Sequence, residues 1–150
     1  MILRRFAVFI CCFFISSSLL AETTLTVDST NKRFIHHIVD PSQQRLELVW
    51  RDDQKQPFGY FQNVRQDFAK QDKQIRFTMN AGIFQQDLTP LGLYIEHGEV
   101  LRPLNRRQQG YGNFYLQPNG VFVLSRDGQA DIVSTTDFKM TANIDYATQS

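Results

Sequence analysis

The sequence predicts an α+β fold that consists mainly of antiparallel β-hairpins and contains one clear helix. Short stretches in which apolar and polar residues alternate, separated by turn-forming Gly, Asn and Pro residues, favour the hairpins. Phe61, Val64 and Phe68 recur at the spacing of one helix face and predict the helix. This mixture is typical of an α+β domain dominated by an antiparallel sheet.

The first half of the chain is predicted to supply strands and the helix. Residues 22–31 are polar and rich in threonine, and we expect them to form a loose lead-in. The elements that follow are strands over residues 33–40 and 45–51, a helix over 60–71 and a strand over 74–80. In the second strand Leu46, Leu48 and Trp50 recur at every other position, which is the pattern of a half-buried strand.

The second half is predicted to form hairpins. The predicted strands, in order, cover residues 93–96, 99–102, 114–117, 121–124 and 130–134. His97 and Gly98 join the first two strands and suit a tight primed turn. Residues 118–120 are Pro, Asn and Gly, all of which favour turns, so we expect them to join the next two.

The N-terminus has the pattern of a secretory signal peptide. Arg4 and Arg5 give a basic start, residues 6–20 form an apolar run, and the small residue Ala21 closes it. Signal peptides carry an apolar run of roughly 7–15 residues, whereas a permanent membrane span needs roughly 20. We therefore predict a signal peptide over residues 1–21 and a periplasmic or secreted protein; an uncleaved membrane anchor is the alternative.

The composition excludes several classes of function. Cys11 and Cys12 leave with the signal peptide, which excludes disulfides, a Cys nucleophile and Cys-ligated zinc. The 16 Lys and Arg residues fall to 14 when Arg4 and Arg5 leave, against 15 Asp and Glu, and no basic stripe indicates a nucleic-acid partner. After the signal peptide, no apolar segment is long enough to span a membrane. We predict no metal site and no cofactor.

Glu96 and Glu99 form a carboxylate pair with the spacing of a glycosidase site. On either side of a two-residue turn, their side chains are expected to lie about 5 Å apart, near the roughly 5–5.5 Å of a retaining pair. Water at a hairpin tip, however, screens the repulsion that would raise either pKa. We therefore expect an exposed turn, and the catalytic residues stay unassigned.

Polar clusters lie at the predicted strand ends, over residues 80–82, 105–113 and 118–120. Their asparagine amides can donate and accept hydrogen bonds, which suits sugar hydroxyls and phosphate oxygens. Glycine beside an amide allows a ligand to approach the backbone closely. The alternative is that each cluster is an ordinary turn, since Asn and Gly also favour turns.

The order and spacing of these clusters are similar to those of a known family. The stretches FTMNAGIFQQDLTPLGLYIEHGEVLRPLN and GYGNFYLQPNGVFVL carry four sequence blocks, over residues 80–84, 90–93, 112–114 and 118–120. In this ordered set the chain resembles the phosphodiester glycosidase family, which includes the lysosomal uncovering enzyme and bacterial YigE-like exported proteins.

The resemblance implies hydrolysis of the glycosidic bond of a sugar 1-phosphodiester, with a carbohydrate or sugar-phosphodiester ligand as the partner. It implies that Asn80 orients the substrate, with Asp87 and Asn113 as further pocket residues. Arg106 and Arg107 are added on chemical grounds, because a guanidinium fork matches phosphate oxygens. For each arginine the alternative is a solvated loop charge.

The resemblance also implies an incomplete domain. After DYATQS the family continues with a Gly-Pro segment, an Arg-Asn-Gly block and an Asp-Gly-Gly segment expected to supply a key carboxylate, whereas this sequence ends at Ser150. We therefore expect residues 22–150 to be the N-terminal part of a phosphodiester glycosidase-like domain, either as a fragment or as a truncated relative, and to be inactive alone. The alternatives are a non-catalytic envelope protein that binds glycan or glycan phosphate and, third, a purely structural role.

Overall fold

The computed structural model describes residues 23–27, 33–41 and 43–150, and the chain divides into two compact units after residue 38. In the first unit, strand β1 (Thr23–Val27) pairs antiparallel with β2 (Arg33–His37). The expectation of a loose lead-in is therefore wrong where β1 forms, whereas β2 confirms most of the strand predicted after it. The predicted signal peptide lies outside the described residues.

Within the described residues, the second unit contains one α-helix and a five-stranded antiparallel sheet. Its elements are α1 (Phe61–Lys70), β3 (Tyr94–Glu96), β4 (Glu99–Arg102), a 3-10 helix (Asn113–Tyr115), β5 (Gly120–Ser125), β6 (Ala130–Ser134) and β7 (Ile144–Gln149). The strands lie in the order β4-β3-β7-β5-β6. This arrangement confirms the α+β class with mainly antiparallel hairpins. Neither described helix has the length and apolar character needed to cross a bilayer.

One hairpin and the helix form where the sequence predicted them, and β5 and β6 lie close to the strands predicted over residues 121–124 and 130–134. His97 and Gly98 have φ values of 51° and 79°, and both are positive, as a primed turn between β3 and β4 requires. The turn that joins β5 to β6 contains Gly128, with a φ of 82°. Helix α1 begins one residue later and ends one residue earlier than predicted, and it buries Val64.

The central strand of the sheet, β7, was not predicted. It pairs with β3 on one side and with β5 on the other. It contains Thr148 and Gln149, which are polar and yet only 5% and 1% exposed. A strand covered on both faces does not alternate between buried apolar and exposed polar residues, so the period-two rule did not find it.

The two faces of the sheet carry separate apolar clusters. One consists of Leu93, Ile95, Val121, Phe138, Ile144 and Ala147, and the other consists of Leu48, Tyr94, Leu124 and Tyr146. Tyr94 and Ile95 are neighbours in the chain but belong to different clusters, because successive side chains of a strand point to opposite faces. Apolar side chains therefore cover both faces of the central strands of this sheet.

Three of the predicted strands are wrong. Residues 45–51 join no sheet, although Leu46, Leu48 and Trp50 pack in the cluster around Tyr94 as their alternation predicted. Residues 74–80 form no strand either. Residues 114–117 begin in the 3-10 helix instead of a hairpin, because β6 and β7 already occupy both edges of β5. Alternation reports burial of one side of a segment, but it does not supply a pairing partner.

Candidate functional site

Two of the four sequence blocks lie against the C-terminal end of β7. A Cβ atom added at Gly82 would lie 2.6 Å from Thr148 Oγ1. One added at Gly92 would lie 2.5 Å from Gln149 Oε1 and 2.8 Å from Phe114 Cζ. Ordinary heavy-atom contacts are roughly 3.5–4.0 Å long, so the backbone at both glycines passes too close to β7 for any side chain.

The other two blocks reach the same end of β7 by way of β5. Gly120 and Ser150 exchange two backbone hydrogen bonds of 3.0 Å. Asn119 is buried and donates from Nδ2 to the carbonyl of Phe114 at 3.0 Å, which ties the Pro-Asn-Gly turn to the 3-10 helix. The four blocks therefore converge in space, and in the last of them the asparagine has a structural role.

Gln149 is the polar side chain on which this arrangement is centred. Its Oε1 accepts hydrogen bonds from the backbone N–H groups of Leu93 and Asn105, at 3.1 and 2.9 Å. Its Nε2 donates to the carbonyl of Asn105 at 2.7 Å and to Thr135 Oγ1 at 3.1 Å. Both donors and both acceptor positions of the buried amide are thus filled, as burial of a polar group demands.

A groove of about 450 Å³ lies next to Asn105 and is lined by Leu91 and residues 102–107. Three of these residues, Arg102, Arg106 and Arg107, carry guanidinium groups. A guanidinium is permanently charged and presents several N–H donors in a plane, which matches the oxygens of a phosphate or carboxylate. The groove is therefore suited to an anionic ligand.

Two of the groove arginines are held by other parts of the fold. Arg106 donates from Nη1 to the carbonyl of Thr135 at 3.2 Å. The guanidinium carbon of Arg107 lies 5.7 Å from the centre of the Tyr115 ring, within the range of a cation–π interaction. Arg102 differs, since its buried Nε has no hydrogen-bond partner among the described residues. That N–H is therefore enclosed by protein atoms and makes no hydrogen bond within the described residues.

The structure brings together only part of the predicted substrate-binding set. Arg106 and Arg107 share the groove. Asp87 lies in a tight turn, where its carboxylate accepts a hydrogen bond from the backbone N–H of Thr89 at 3.0 Å. This hydrogen bonding, with a smaller attraction from Arg102, lowers the pKa of Asp87. Asp87 therefore stays ionised near neutral pH and interacts electrostatically with one groove arginine.

Asn80 and Asn113 are both exposed, and neither is among the residues that line the groove. Asn113 begins the 3-10 helix, whose last residue, Tyr115, contacts Arg107. Asn80 stands two positions before Gly82, which contacts β7. Asn113 is thus connected to the groove through the contact of Tyr115 with Arg107. Asn80 is near only the segment at Gly82 that packs against β7.

Glu96 is less exposed than the sequence analysis expected. Tyr94 donates a hydrogen bond from its hydroxyl to Glu96 Oε2 at 3.0 Å, and burial raises the pKa of Glu96. Glu99 faces it across the turn and is exposed. Nearby, the Tyr146 hydroxyl and His97 Nδ1 form a 2.9 Å hydrogen bond, and burial raises the pKa of Tyr146 to about 12. The expectation of an exposed turn is therefore wrong for Glu96, whose pKa is raised by burial, and confirmed for Glu99.

Sequence reasoning missed Gln149 and Arg102. Gln149 belongs to a stretch in which no element was predicted, and Arg102 ended a predicted strand. Glycines at positions 82 and 92 were a signal of close backbone approach, but they did not identify the residue that approaches. In the part of the chain that the structure describes, no three His, Cys, Asp or Glu side chains are grouped as metal ligands would be.

The second unit is an antiparallel α+β fold with a groove lined by three arginines. The chain is similar to the protein of Escherichia coli strain K12 named "Uncharacterized protein YigE", with 34% identity over 131 residues. The similar segment is 87% of this chain and 48% of the relative, so the chain spans about half the length of that protein. No family model matches the chain, and no solved structure matches it. The similarity supports a relationship to YigE-like proteins.

Proposed function

We propose that this protein is part of an exported phosphodiester glycosidase, and that its arginine groove binds the phosphate of a sugar 1-phosphodiester. The observation that carries the proposal is the convergence of the four sequence blocks on the end of β7. Gln149, at that end, is hydrogen-bonded to Asn105, which lines the groove. The residues that carry the family resemblance are thus connected to the groove through Gln149 and Asn105, and Leu91 of one block lines it.

The chemistry of the groove fits a phosphodiester in particular. A phosphodiester carries one negative charge and two free oxygens, which a guanidinium can bind in parallel. Each charge-assisted hydrogen bond contributes about 1.5–3 kcal/mol, so losing one should weaken binding about tenfold or more. Binding through exposed guanidinium groups should also weaken as salt is added.

A second candidate is a non-catalytic protein that binds glycan phosphate, and the groove lining favours it. The polar side chains there are three arginines and Asn105. Guanidinium and amide groups hold a phosphate but do not exchange protons near neutral pH, whereas glycoside hydrolysis usually needs a proton donor and a group that attacks or activates water. Any carboxylates that act in hydrolysis must therefore come from residues outside the groove lining.

Calorimetric titration of the purified chain with the methyl ester of N-acetylglucosamine 1-phosphate tests the proposal, with N-acetylglucosamine as the neutral control ligand. We expect binding only of the phosphodiester, weakened by salt and by replacing Arg106 and Arg107 with Gln. The matched control is Arg126→Gln, which removes an exposed arginine from a different turn. Equal affinity for both ligands, or an equal effect of Arg126→Gln, would refute phosphate recognition by the groove.

The same samples distinguish the two candidates by assay of released N-acetylglucosamine. We expect no release by this chain alone. Release after co-expression with the unmatched part of the Escherichia coli relative would support the hydrolase. Binding without release in both preparations would support the binding protein.

The export proposal rests on Arg4, Arg5, the apolar run and Ala21. Intact mass spectrometry of the protein from a periplasmic extract or culture medium tests it. We expect a mature chain that begins at Glu22. Recovery of residues 1–21 in a membrane fraction would instead support the uncleaved anchor.

A further inference from the structure

We infer that Gln149 is a positioning residue, whose buried amide sets the loop of residues 105–107 so that the groove arginines face a bound anion. The inference rests on the anion-binding groove proposed above. It assigns a role to a residue that lies outside the four sequence blocks and that does not itself line the groove.

The contact between Gln149 and the loop is reciprocal. The backbone N–H of Asn105 donates to Gln149 Oε1 at 2.9 Å, and the carbonyl of Asn105 accepts from Gln149 Nε2 at 2.7 Å. Both backbone groups of one residue are therefore bound to a single side chain that is 1% exposed. A donor–acceptor pair of this kind fixes the position and the orientation of the peptide groups on either side of Asn105.

Two paths lead from this amide to the arginines. In the first, Asn105 Oδ1 accepts a hydrogen bond from the backbone N–H of Arg107 at 3.1 Å. In the second, Gln149 Nε2 donates to Thr135 Oγ1, and the carbonyl of the same Thr135 accepts from Arg106 Nη1 at 3.2 Å. One side chain is thus linked to both arginines through one intermediate residue each.

The arrangement is specific to glutamine. Glutamate keeps the acceptor oxygen but, when ionised, offers no donor to Asn105 or Thr135, and asparagine is shorter by one methylene. Gly92 leaves the space that the amide occupies, since a Cβ there would lie 2.5 Å from Gln149 Oε1. The glycine of one sequence block is therefore explained by the position of Gln149.

Titration with inorganic phosphate tests the role, using Gln149→Glu and the milder pair Thr135→Val and Thr135→Ser. We expect Gln149→Glu to weaken phosphate binding about tenfold or more, as the loss of a charge-assisted contact would. Thr135→Val should weaken it several-fold, and Thr135→Ser, which keeps the hydroxyl, should restore it. Val64→Ala is the control, because it removes a buried contact in α1 and should lower stability without changing affinity.

A spectroscopic signal and a double variant separate positioning from a general loss of structure. The Nε–Hε NMR signal of Arg106 should shift on addition of phosphate in the wild type and in Thr135→Ser, but less in Thr135→Val. In an Arg106→Gln background, Thr135→Val should cause little further loss of affinity, because its effect acts through the missing guanidinium.

The outcomes distinguish this inference from the proposed function. If the wild type binds no phosphate, the groove proposal fails and the positioning role fails with it. If the wild type binds phosphate and both Gln149→Glu and Thr135→Val bind it equally well, the positioning role alone is overturned. A loss in Val64→Ala equal to that in Thr135→Val would also overturn it, since general destabilisation would then explain both.

Discussion

Replacing Gly92 with alanine tests the packing on which the site depends. The added Cβ would lie 2.5 Å from Gln149 Oε1, 2.8 Å from Phe114 Cζ and 2.9 Å from Gln149 Cβ. Neither neighbour can withdraw easily, because Phe114 and Gln149 are each 1% exposed and Gln149 is held by hydrogen bonds. The substitution must therefore displace the glutamine amide or shift the backbone of residue 92.

The expected cost follows from these two responses. Overpacking of a well-packed core costs about 1–3 kcal/mol. Displacing Oε1 also leaves the N–H of Leu93 or of Asn105 without its acceptor, and an unpaired buried donor costs about 1–3 kcal/mol. We therefore expect Gly92→Ala to lower the free energy of unfolding by about 3 kcal/mol or more, a large part of the roughly 5–15 kcal/mol typical of a domain.

Urea unfolding followed by the fluorescence of Trp50 measures this cost, since Trp50 is the single tryptophan of the chain. Gly112→Ala is the matched control: Gly112 has a φ of 98° but no heavy atom within 4 Å of an added Cβ. Its cost should come from the backbone alone, about 1–3 kcal/mol, because a φ of 98° with a ψ of 172° is a conformation that essentially only glycine adopts. A loss at Gly92 below about 1 kcal/mol would refute the close packing against Gln149.

Three further changes test other parts of the second unit. Burial raises the pKa of Glu96, so the stability it confers is present below its ordinary value of 4.5 and is lost as pH rises through the raised pKa. Glu96→Gln should flatten this slope in urea unfolding; an unchanged slope would contradict it. Asp87→Asn removes a negative charge that interacts with Arg102, so the variant should bind phosphate at least as tightly as the wild type in a titration. Weaker binding by the variant would contradict this. Leu48→Ala should lower the unfolding free energy by about 2–5 kcal/mol and Val49→Ala by less, whereas equal losses would exclude one-sided packing.

The candidate site could be predicted only in part from the sequence. Arg106 and Arg107 are neighbours in the chain, so their presence in one groove follows from sequence proximity and loop geometry. Gln149 reaches the site from β7 through its side chain, which forms hydrogen bonds with the backbone of Asn105, 44 positions away in the chain. Asn80 was predicted from its motif, but the structure places its block against the framework of the site.

The sequence by itself determined the local elements of this protein. The His97-Gly98 turn and helix α1 depend on the conformational preferences of neighbouring residues, and both were predicted correctly. The alternation of Leu46, Leu48 and Trp50 likewise determined which side of that segment is buried, although it joins no sheet. Such features can be predicted from the sequence because the residues that cause them lie within a few positions of one another.

Only the tertiary structure decided which strand is central and which polar side chain is buried. Asp145, Thr148 and Gln149 interrupt the apolar pattern of β7, yet this strand pairs on both sides and Gln149 is 1% exposed. A buried amide is stable only if remote backbone groups fill its hydrogen-bonding positions, and those groups come from Leu93 and Asn105. Because these hydrogen-bond partners are distant in sequence, no local sequence pattern could predict them.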